Sequence, residues 1–387
     1  MARRPGARSE LTDVHAFIDG LYGTDLHAKR IASLAGATLG VMQAASLAVA
    51  MIGQALAQAR GLVTKHAVKQ VDRLLSNAGI DVWDCFARWV PHQIGERREI
   101  LVAMDWTEFA HDDQATLVLS LVTGHGRAAP LMWLSVWKDE MAKQRNDFED
   151  ACLCRLAGLV PAGCRVTILA DRGFGDQKLF RFLPTLGFGY VIRFRGNIRV
   201  TDANGQTKPA ADWVGQDGRA RKLAGARVTA KGQPVGAVVC VHAKDMKEPW
   251  CLASSEQDAT AATLINYYAR RWTIEPHFRD TKDLRFGMGL SATRINEPMR
   301  RDRLLLISAF ATALLTLLGA VGESLGMDRL LKSNTSKTRT HSLFRQGSML
   351  YELIPNMPEH RLLPLIEKFA QAVSDAGMFV PAIVDAK

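Results

Sequence analysis

Two aspartates stand in matched settings. Asp105 closes the apolar run Ile100–Met104 and is followed by Trp106 and Thr107, and Asp171 closes Val166–Ala170 and is followed by Arg172, Gly173, Phe174 and Gly175. Apolar runs of this length read as buried strands. In an open α/β sheet, sites form beyond the carboxyl ends of strands. If the two strands are neighbours, both carboxylates meet at one edge of the sheet. Two anions held that close raise each other's pKa unless a cation sits between them. Hard oxygen ligands of this kind suit Mg²⁺ or Mn²⁺. Taken singly, each Asp is more commonly a cap or turn residue; the matched pair is what points to chemistry.

A second constellation lies further along. Tyr268, Arg271, Glu275 and Lys282 are spaced 3, 4 and 7. On an ideal helix they fall within about 60° of one another. One stripe then carries a phenol, a guanidinium, a carboxylate and an ammonium. The cations and the phenol can hold phosphates, and the carboxylate can complete a metal site. The alternative is an exposed helix with i,i+4 ion pairs. Pro276 directly follows Glu275 and cannot donate a helix hydrogen bond. Either the helix kinks there, or a new one starts near Thr273 with Pro276 in its first turn. His277 and Asp280 are expected to be ordinary helix residues rather than extra metal ligands. Trp272 is expected in the core rather than against DNA.

The elements that must position these residues can be read from periodicity. Residues 31–59 and 63–75 carry helical spacing, and Ser76 to Gly79 reads as a helix stop. From Glu99 the texture changes. Strands are expected at 100–105, 116–122 and 131–137, a helix at 143–156, a strand at 165–170, a helix at 176–186 and a strand at 189–194. That order predicts a mixed α/β sheet covered by helices. Residues 196–255 read as β-rich, with Asn204-Gly205 as a hairpin signal and strands at 235–242 and 250–254. Residues 259–320 are mostly helical, and 333–345 reads as a polar, basic loop.

Composition narrows the partners. Of 387 residues 48% are hydrophobic and 23% charged, which excludes a disordered tail, a collagen-like fibre and a small disulfide scaffold. Lys plus Arg number 49 against 39 Asp plus Glu, and between Arg172 and Arg271 the counts are 16 against 8. Most of the excess therefore coincides with the β-rich segment and the helix after it, which favours a nucleic-acid partner. Cys85, Cys152, Cys154, Cys164, Cys240 and Cys251 show no CxxC spacing, and are expected to be buried thiols of a cytosolic protein. Arg3, Arg4 and Arg8 are not followed by a signal-peptide core. The apolar stretches 34–57 and 304–322 are expected to be helices of a soluble core rather than membrane spans.

With these residues in place, the chain resembles the DDE transposases of bacterial insertion sequences, in the branch with a Tyr-(2)-Arg-(3)-Glu-(6)-Lys signature. Tyr268, Arg271, Glu275 and Lys282 match it without a gap, and Asp105 and Asp171 look like the first and second acidic residues. The resemblance covers roughly Ile100 to Gly322. It implies a ribonuclease-H-like mixed sheet with flanking helices, a β-rich insert before the last catalytic helix and a helical N-terminal region. The expected organisation is 1–99, helical and binding DNA ends; 100–195, first part of the catalytic core; 196–258, β-rich insertion; 259–322, rest of the core; and 323–387, a C-terminal helical region that could serve dimerisation.

The implied activity is cut-and-paste transposition. Asp105, Asp171 and Glu275 would hold two Mg²⁺ ions, replaceable by Mn²⁺, about 3.5–4 Å apart. Tyr268, Arg271 and Lys282 would grip phosphates. Trp250 would stack on a base flipped from the end if cleavage runs through a DNA hairpin. The implied partners are double-stranded DNA, as transposon ends and target, and a second copy of the chain in the active complex. A membrane and a small-molecule cofactor are not expected, and the location would be cytoplasmic, at the nucleoid. The competing readings are a ribonuclease-H-like nuclease that never joins strands, and an inactive DNA-binding descendant. A Gly-rich dinucleotide turn and a P-loop are absent from the sequence.

Overall fold

The computed structural model describes residues 6–215, 217–285 and 287–384. Arg3, Arg4 and the last three residues of the C-terminal region lie outside these, as does the side chain of Arg8. Helices come first: α1 (Gly6–Tyr22), α2 (Ala28–Ala44), α3 (Val49–Arg60), α4 (Thr64–Leu75) and α5 (Val82–Ile94). The helical periodicity of residues 31–59 conceals a break. Ala45 adopts a left-handed φ of 45°, and α2 and α3 meet at 100°. Close packing explains the bend. A Cβ on Gly40 would lie 2.6 Å from the Ile52 carbonyl oxygen, so the two helices fold onto each other where Gly40 permits it. α4 ends at Leu75, as the stop signal predicts.

The next elements are β1 (Glu99–Phe109), β2 (Gln114–Val122), β3 (Ala128–Trp137), α6 (Lys138–Leu159), β4 (Arg165–Ala170), α7 (Gln177–Thr185) and β5 (Gly189–Phe194). Their order is the one expected from sequence. Boundaries differ: β1 runs on past Asp105, β2 and β3 start two and three residues earlier than expected, and α6 starts earlier, with a kink at Gln144, and ends later, at Leu159. Then come β6 (Arg199–Thr201), β7 (Thr207–Pro209), β8 (Arg221–Ala224), β9 (Arg227–Val228), β10 (Gln233–Pro234), β11 (Ala237–Val241) and β12 (Trp250–Ser254). The Asn204-Gly205 signal does mark a hairpin, between β6 and β7, with Gly205 at φ 84°.

The strands form an eight-stranded mixed sheet, ordered β3-β2-β1-β4-β5-β12-β11-β8, and a four-stranded sheet, β10-β9-β6-β7. β3, β2 and β1 make an antiparallel meander; β1, β4 and β5 are parallel; β12, β11 and β8 continue antiparallel. Thus three strands from residues 196–258 prolong the main sheet, while the other four of that segment make the small one.

The chain finishes with α8 (Ala261–Arg270), α9 (Ile274–Lys282), α10 (Pro298–Ser324), α11 (Leu343–Leu353) and α12 (Glu359–Val384). The expected loop 333–345 ends earlier, because Ser342 caps α11 by accepting from the Arg345 amide at 3.2 Å.

Alternation along the strands sorts the core into two faces. On one, Val102, Met104, Ile168, Ala170 and Ile192 join Leu153, Leu156, Leu179 and Phe180 of α6 and α7. On the other, Ala103, Leu169, Val191, Val239 and Leu252 pack with Leu264, Tyr268 and Ile274 from α8 and α9. α10 is long and apolar enough to cross a membrane, yet most of its apolar stretch is buried. It packs against α11, α12, α2 and β3. A Cβ on Gly319 would lie 1.9 Å from the Leu343 carbonyl, so α10 and α11 cross almost backbone to backbone. Of the cysteines, Cys85, Cys152, Cys240 and Cys251 are buried, whereas Cys154 is exposed and Cys164 partly so. The expectation of six buried thiols is corrected for these two. Cys154 lies on the outer side of α6, where helical rotation turns it away from its buried neighbours Cys152 and Leu153.

Candidate active site

Strand register brings the two aspartates together. The parallel pairing of β1 and β4 ends at Met104 opposite Ala170, so Asp105 and Asp171 are the next residues on adjacent strands, about 4.8 Å apart in the hydrogen-bonding direction. Met104 and Ala170 belong to the face covered by α6 and α7, and Ala103 and Leu169 to the opposite face. The next step in the alternation therefore directs both carboxylates to the face that carries α8 and α9. Asp105 does not end its strand, however. β1 continues to Phe109 with only β2 beside it, Asp105 opposite Val118. At Asp171 the chain turns into a short 3-10 helix, Arg172–Phe174, and Asp171 Oδ1 accepts from the Gly173 amide at 2.8 Å.

The third acidic residue arrives on a broken helix. α8 ends at Arg270, Arg271–Thr273 forms a 3-10 turn, and α9 begins at Ile274. Pro276 lies in the first turn of α9, where its missing N–H costs no bond. The single ideal helix behind the stripe is thereby replaced by two segments joined by a turn. Thr273 stands at the start of α9 but gives it no side-chain cap; its hydroxyl donates to the Arg270 carbonyl at 2.9 Å.

Arg271 links the parts. Its side chain is 7% exposed, and one guanidinium nitrogen lies 3.4 Å from Asp105 Oδ2, the other 3.8 Å from Glu275 Oε1. Its Cζ lies 5.7 Å from the Tyr268 ring centre and 5.5 Å from that of Trp272. Tyr268 is buried and packs edge-on against half-buried Trp250, with centroids 4.8 Å apart. Burial raises the Tyr268 pKa, with Arg271 opposing the shift. Lys282 meets the same face of β1 two residues beyond Asp105. Its Nζ donates to Thr107 Oγ1 at 2.9 Å and to the Glu108 carbonyl at 3.0 Å.

Other residues of the stripe sort plainly. His277 is buried, and desolvation holds its pKa down at about 4, helped by Arg127. Asp280 pairs with Arg127 at 2.6 Å. Both are packed helix residues, as expected. Trp272 departs from expectation: it is 48% exposed. It belongs to the 3-10 turn and lies beside Glu275 on the stripe, where the Glu275 side chain is itself 49% exposed.

Several supporting groups carry no distinctive signal in the sequence. Trp106, on the opposite face from Asp105, donates its indole N–H to Glu149 of α6 at 2.8 Å, and Arg145 donates to the same oxygen at 2.8 Å. The i,i+4 spacing of Arg145 and Glu149 is a signal, but a surface pair has the same spacing. Arg172 and Arg193 both donate to Glu248 at 2.8 Å, and Arg193 also to the Pro249 carbonyl at 3.3 Å. This places a basic wall beside Asp171 and Trp250.

The donor chemistry of Asp105, Asp171 and Glu275 suits hard divalent cations. Among the described residues no three His, Cys, Asp or Glu side chains are already gathered tightly enough to hold a metal. The cation found between Asp105 and Glu275 is the Arg271 guanidinium.

Residues 142–314 match the family described as Transposase DDE domain. The transposase-type match covers under half of the chain. It takes in Asp171, Trp250 and the Tyr268–Lys282 stripe, and leaves Asp105 to the strand register. No curated protein sequence matches the chain. The family supports a transposase-type enzyme acting on DNA, a group that generally uses divalent metal ions.

Asp105 carries a testable strain. Burial pushes its pKa from 3.8 up to about 6; Arg271 pulls it down, and Asp171 and Glu275 push it further up. Between these two values the folded protein binds a proton that the unfolded chain has released. Stability must therefore fall as pH rises through that window, and the deficit persists above it. In chelator-containing buffer, Asp105→Asn is expected to be more stable than the parent by up to about 3 kcal/mol near pH 7.5, and no more stable near pH 4. Thermal melts across pH check this. A gain of equal size at both pH values would show that the carboxylate is not strained by burial.

Proposed function

We propose that this chain is a DDE-type DNA transposase of the Tyr-Arg-Glu-Lys branch, from a bacterial insertion sequence, with a ribonuclease-H-like core. The observation that carries this reading is the register of β1 and β4, which sets Asp105 beside Asp171 on the face covered by the helix pair bearing Glu275. The three carboxylates would hold Mg²⁺ ions, two in number, and those ions would activate a water or DNA 3′-hydroxyl and stabilise the leaving oxygen. Arg271 would grip a phosphate, with Tyr268 packed beside its guanidinium. Lys282 would brace the far end of β1 and reach the backbone from there. Such contacts orient the strand and carry little sequence information. The substrates are double-stranded transposon ends and target DNA, and a homodimer joins paired ends.

A strand-joining assay with supercoiled target and DNA carrying the element's terminal repeats tests this. Joined product with Mg²⁺ is the expected result. Cleavage without joining would favour the simple nuclease.

End binding would reside in residues 1–99, with α4 as its DNA-facing surface. Lys65, His66, Lys69 and Arg73 are exposed along one side of α4. His66, Lys69, Gln70 and Arg73 line a cleft of about 610 Å³ with Ser33 and Asn77. The acidic residue of that helix, Asp72, is neutralised by Arg300 of α10 at 2.6 Å. Replacing Lys65, Lys69 and Arg73 together by Ala is expected to flatten the slope of log K against log salt by about 0.9 for each phosphate left without its cation. Unchanged slope in a filter-binding titration would remove α4 from the interface.

Trp250 would stack on a base flipped from the end during hairpin formation. Half-buried at the end of the Glu248 turn, it keeps an aromatic surface beside Arg193 and Tyr268. Such stacking recovers about 1–3 kcal/mol per base. Trp250→Ala is expected to spare the first nick and slow hairpin closure on intact ends. Equal loss of both steps would make Trp250 a packing residue only.

A further inference from the structure

We propose that Arg271 is an exchangeable internal cation: it neutralises the carboxylate site in the free protein, and a DNA phosphate draws it away so that a divalent metal can enter. This rests on the metal-dependent reading above and adds an order to it, in which the DNA end loads the metal.

The geometry supplies the argument. The guanidinium stands between Asp105 and Glu275, at 3.4 and 3.8 Å. Bidentate charge-assisted pairs close to about 2.7–2.9 Å, so Arg271 is held by charge without tight directional bonds. Its Nε is buried with no hydrogen-bond partner, and an unmade bond of that kind is costly. A more firmly seated arginine of this protein makes closer pairs. Buried Arg301 also leaves one guanidinium nitrogen, Nη1, without a partner, but it donates Nε to Gln114 Oε1 at 2.8 Å and closes tightly on Asp112.

A phosphate offers the fork geometry that Arg271 lacks here. Its surroundings allow the movement: the guanidinium is flanked by the rings of Tyr268 and Trp272, and Trp272 is half exposed. The side chain can thus swing outward along an aromatic wall toward solvent. Once it leaves, Asp105, Asp171 and Glu275 lack a counter-charge, and mutual repulsion favours a cation in its place. In the free protein the guanidinium opposes metal entry by like charge. Linkage then requires that metal and DNA phosphate favour each other.

The experiment is Mn²⁺ titration of the full-length, DNA-free protein, read by the loss of the free-ion electron paramagnetic resonance signal. Arg271→Gln is expected to bind Mn²⁺ at least about fivefold more tightly than the parent. Arg271→Lys, which keeps the charge, is expected to stay within about twofold of the parent. Circular dichroism melts check that each variant is folded. In a second arm, Ca²⁺ should tighten binding of a short fluorescent DNA duplex to the parent, and the tightening should shrink in Arg271→Gln.

If Arg271→Gln binds Mn²⁺ no better than the parent, while Asp171→Ala abolishes binding in both backgrounds, the exchange idea is overturned and the metal site stands. If tightening appears equally in the Lys and Gln variants, loss of packing rather than charge is responsible, and the idea again fails. If no variant binds Mn²⁺, with or without duplex, the metal-dependent reading itself fails.

Discussion

Asp171→Ala is expected to lower DNA cleavage by at least on the order of 10³-fold, the upper range for loss of one preorganised electrostatic group, while leaving end binding largely intact. The position is favourable for separating chemistry from folding. Asp171 lies just past the last β4 residue, Ala170, and among the described residues its carboxylate makes one hydrogen bond, accepting from the Gly173 amide at 2.8 Å. Losing such a cap costs about 1 kcal/mol, too little to unfold a core of this size. Asp171→Asn sharpens the experiment, since it can keep the cap and removes only the charge. Both variants should fail in a nicking assay with Mg²⁺, and both should shift labelled terminal-repeat DNA as the parent does. Retention of more than about a tenth of the parental rate by either variant would remove Asp171 from the chemistry.

Arg301→Ala is expected to cost about 3–5 kcal/mol of stability, because it strands a buried anion. The Arg301 side chain is fully buried, and that of its partner Asp112 is 6% exposed. Arg301 also donates to Gln114 Oε1 at 2.8 Å and lies over the Phe109 ring, 3.7 Å from its centre. Gln114 donates onward to the Ile295 carbonyl at 2.9 Å, and the Ile295 amide donates to Asp112 at 3.1 Å. This network fastens the β1–β2 turn to the start of α10. Phe109 is on the same face of β1 as Asp105 and Thr107, so the network also steadies the strand that carries the first acidic residue. Urea unfolding should show a lower midpoint with an unchanged slope. A loss below about 1 kcal/mol would mean that water replaces the guanidinium without cost.

What the amino-acid sequence determined by itself is local. The apolar runs before Asp105 and Asp171, the Asn204-Gly205 hairpin and the stop after Leu75 each express a preference of a few neighbouring residues, and each appears where expected. Pro276 announced a break and left two versions open; the chain takes the one with a new helix after Thr273. What only the tertiary structure decided depends on partners far along the chain. Periodicity at 31–59 could not reveal the bend at Ala45, because the cause is the approach of Gly40 to Ile52. Nothing local says that β8, β11 and β12 extend the main sheet, since strand pairing is set by register between distant segments. The exposure of Trp272 depends on what packs against the turn that carries it, which spacing along the chain does not record. The seat of Arg271 between Asp105 and Glu275 joins a strand to a 3-10 turn 166 residues away. Spacing put Arg271 and Glu275 on one stripe, but a charge reads the same in sequence whether it faces water, a phosphate or a carboxylate, and only packing brought Asp105 to it.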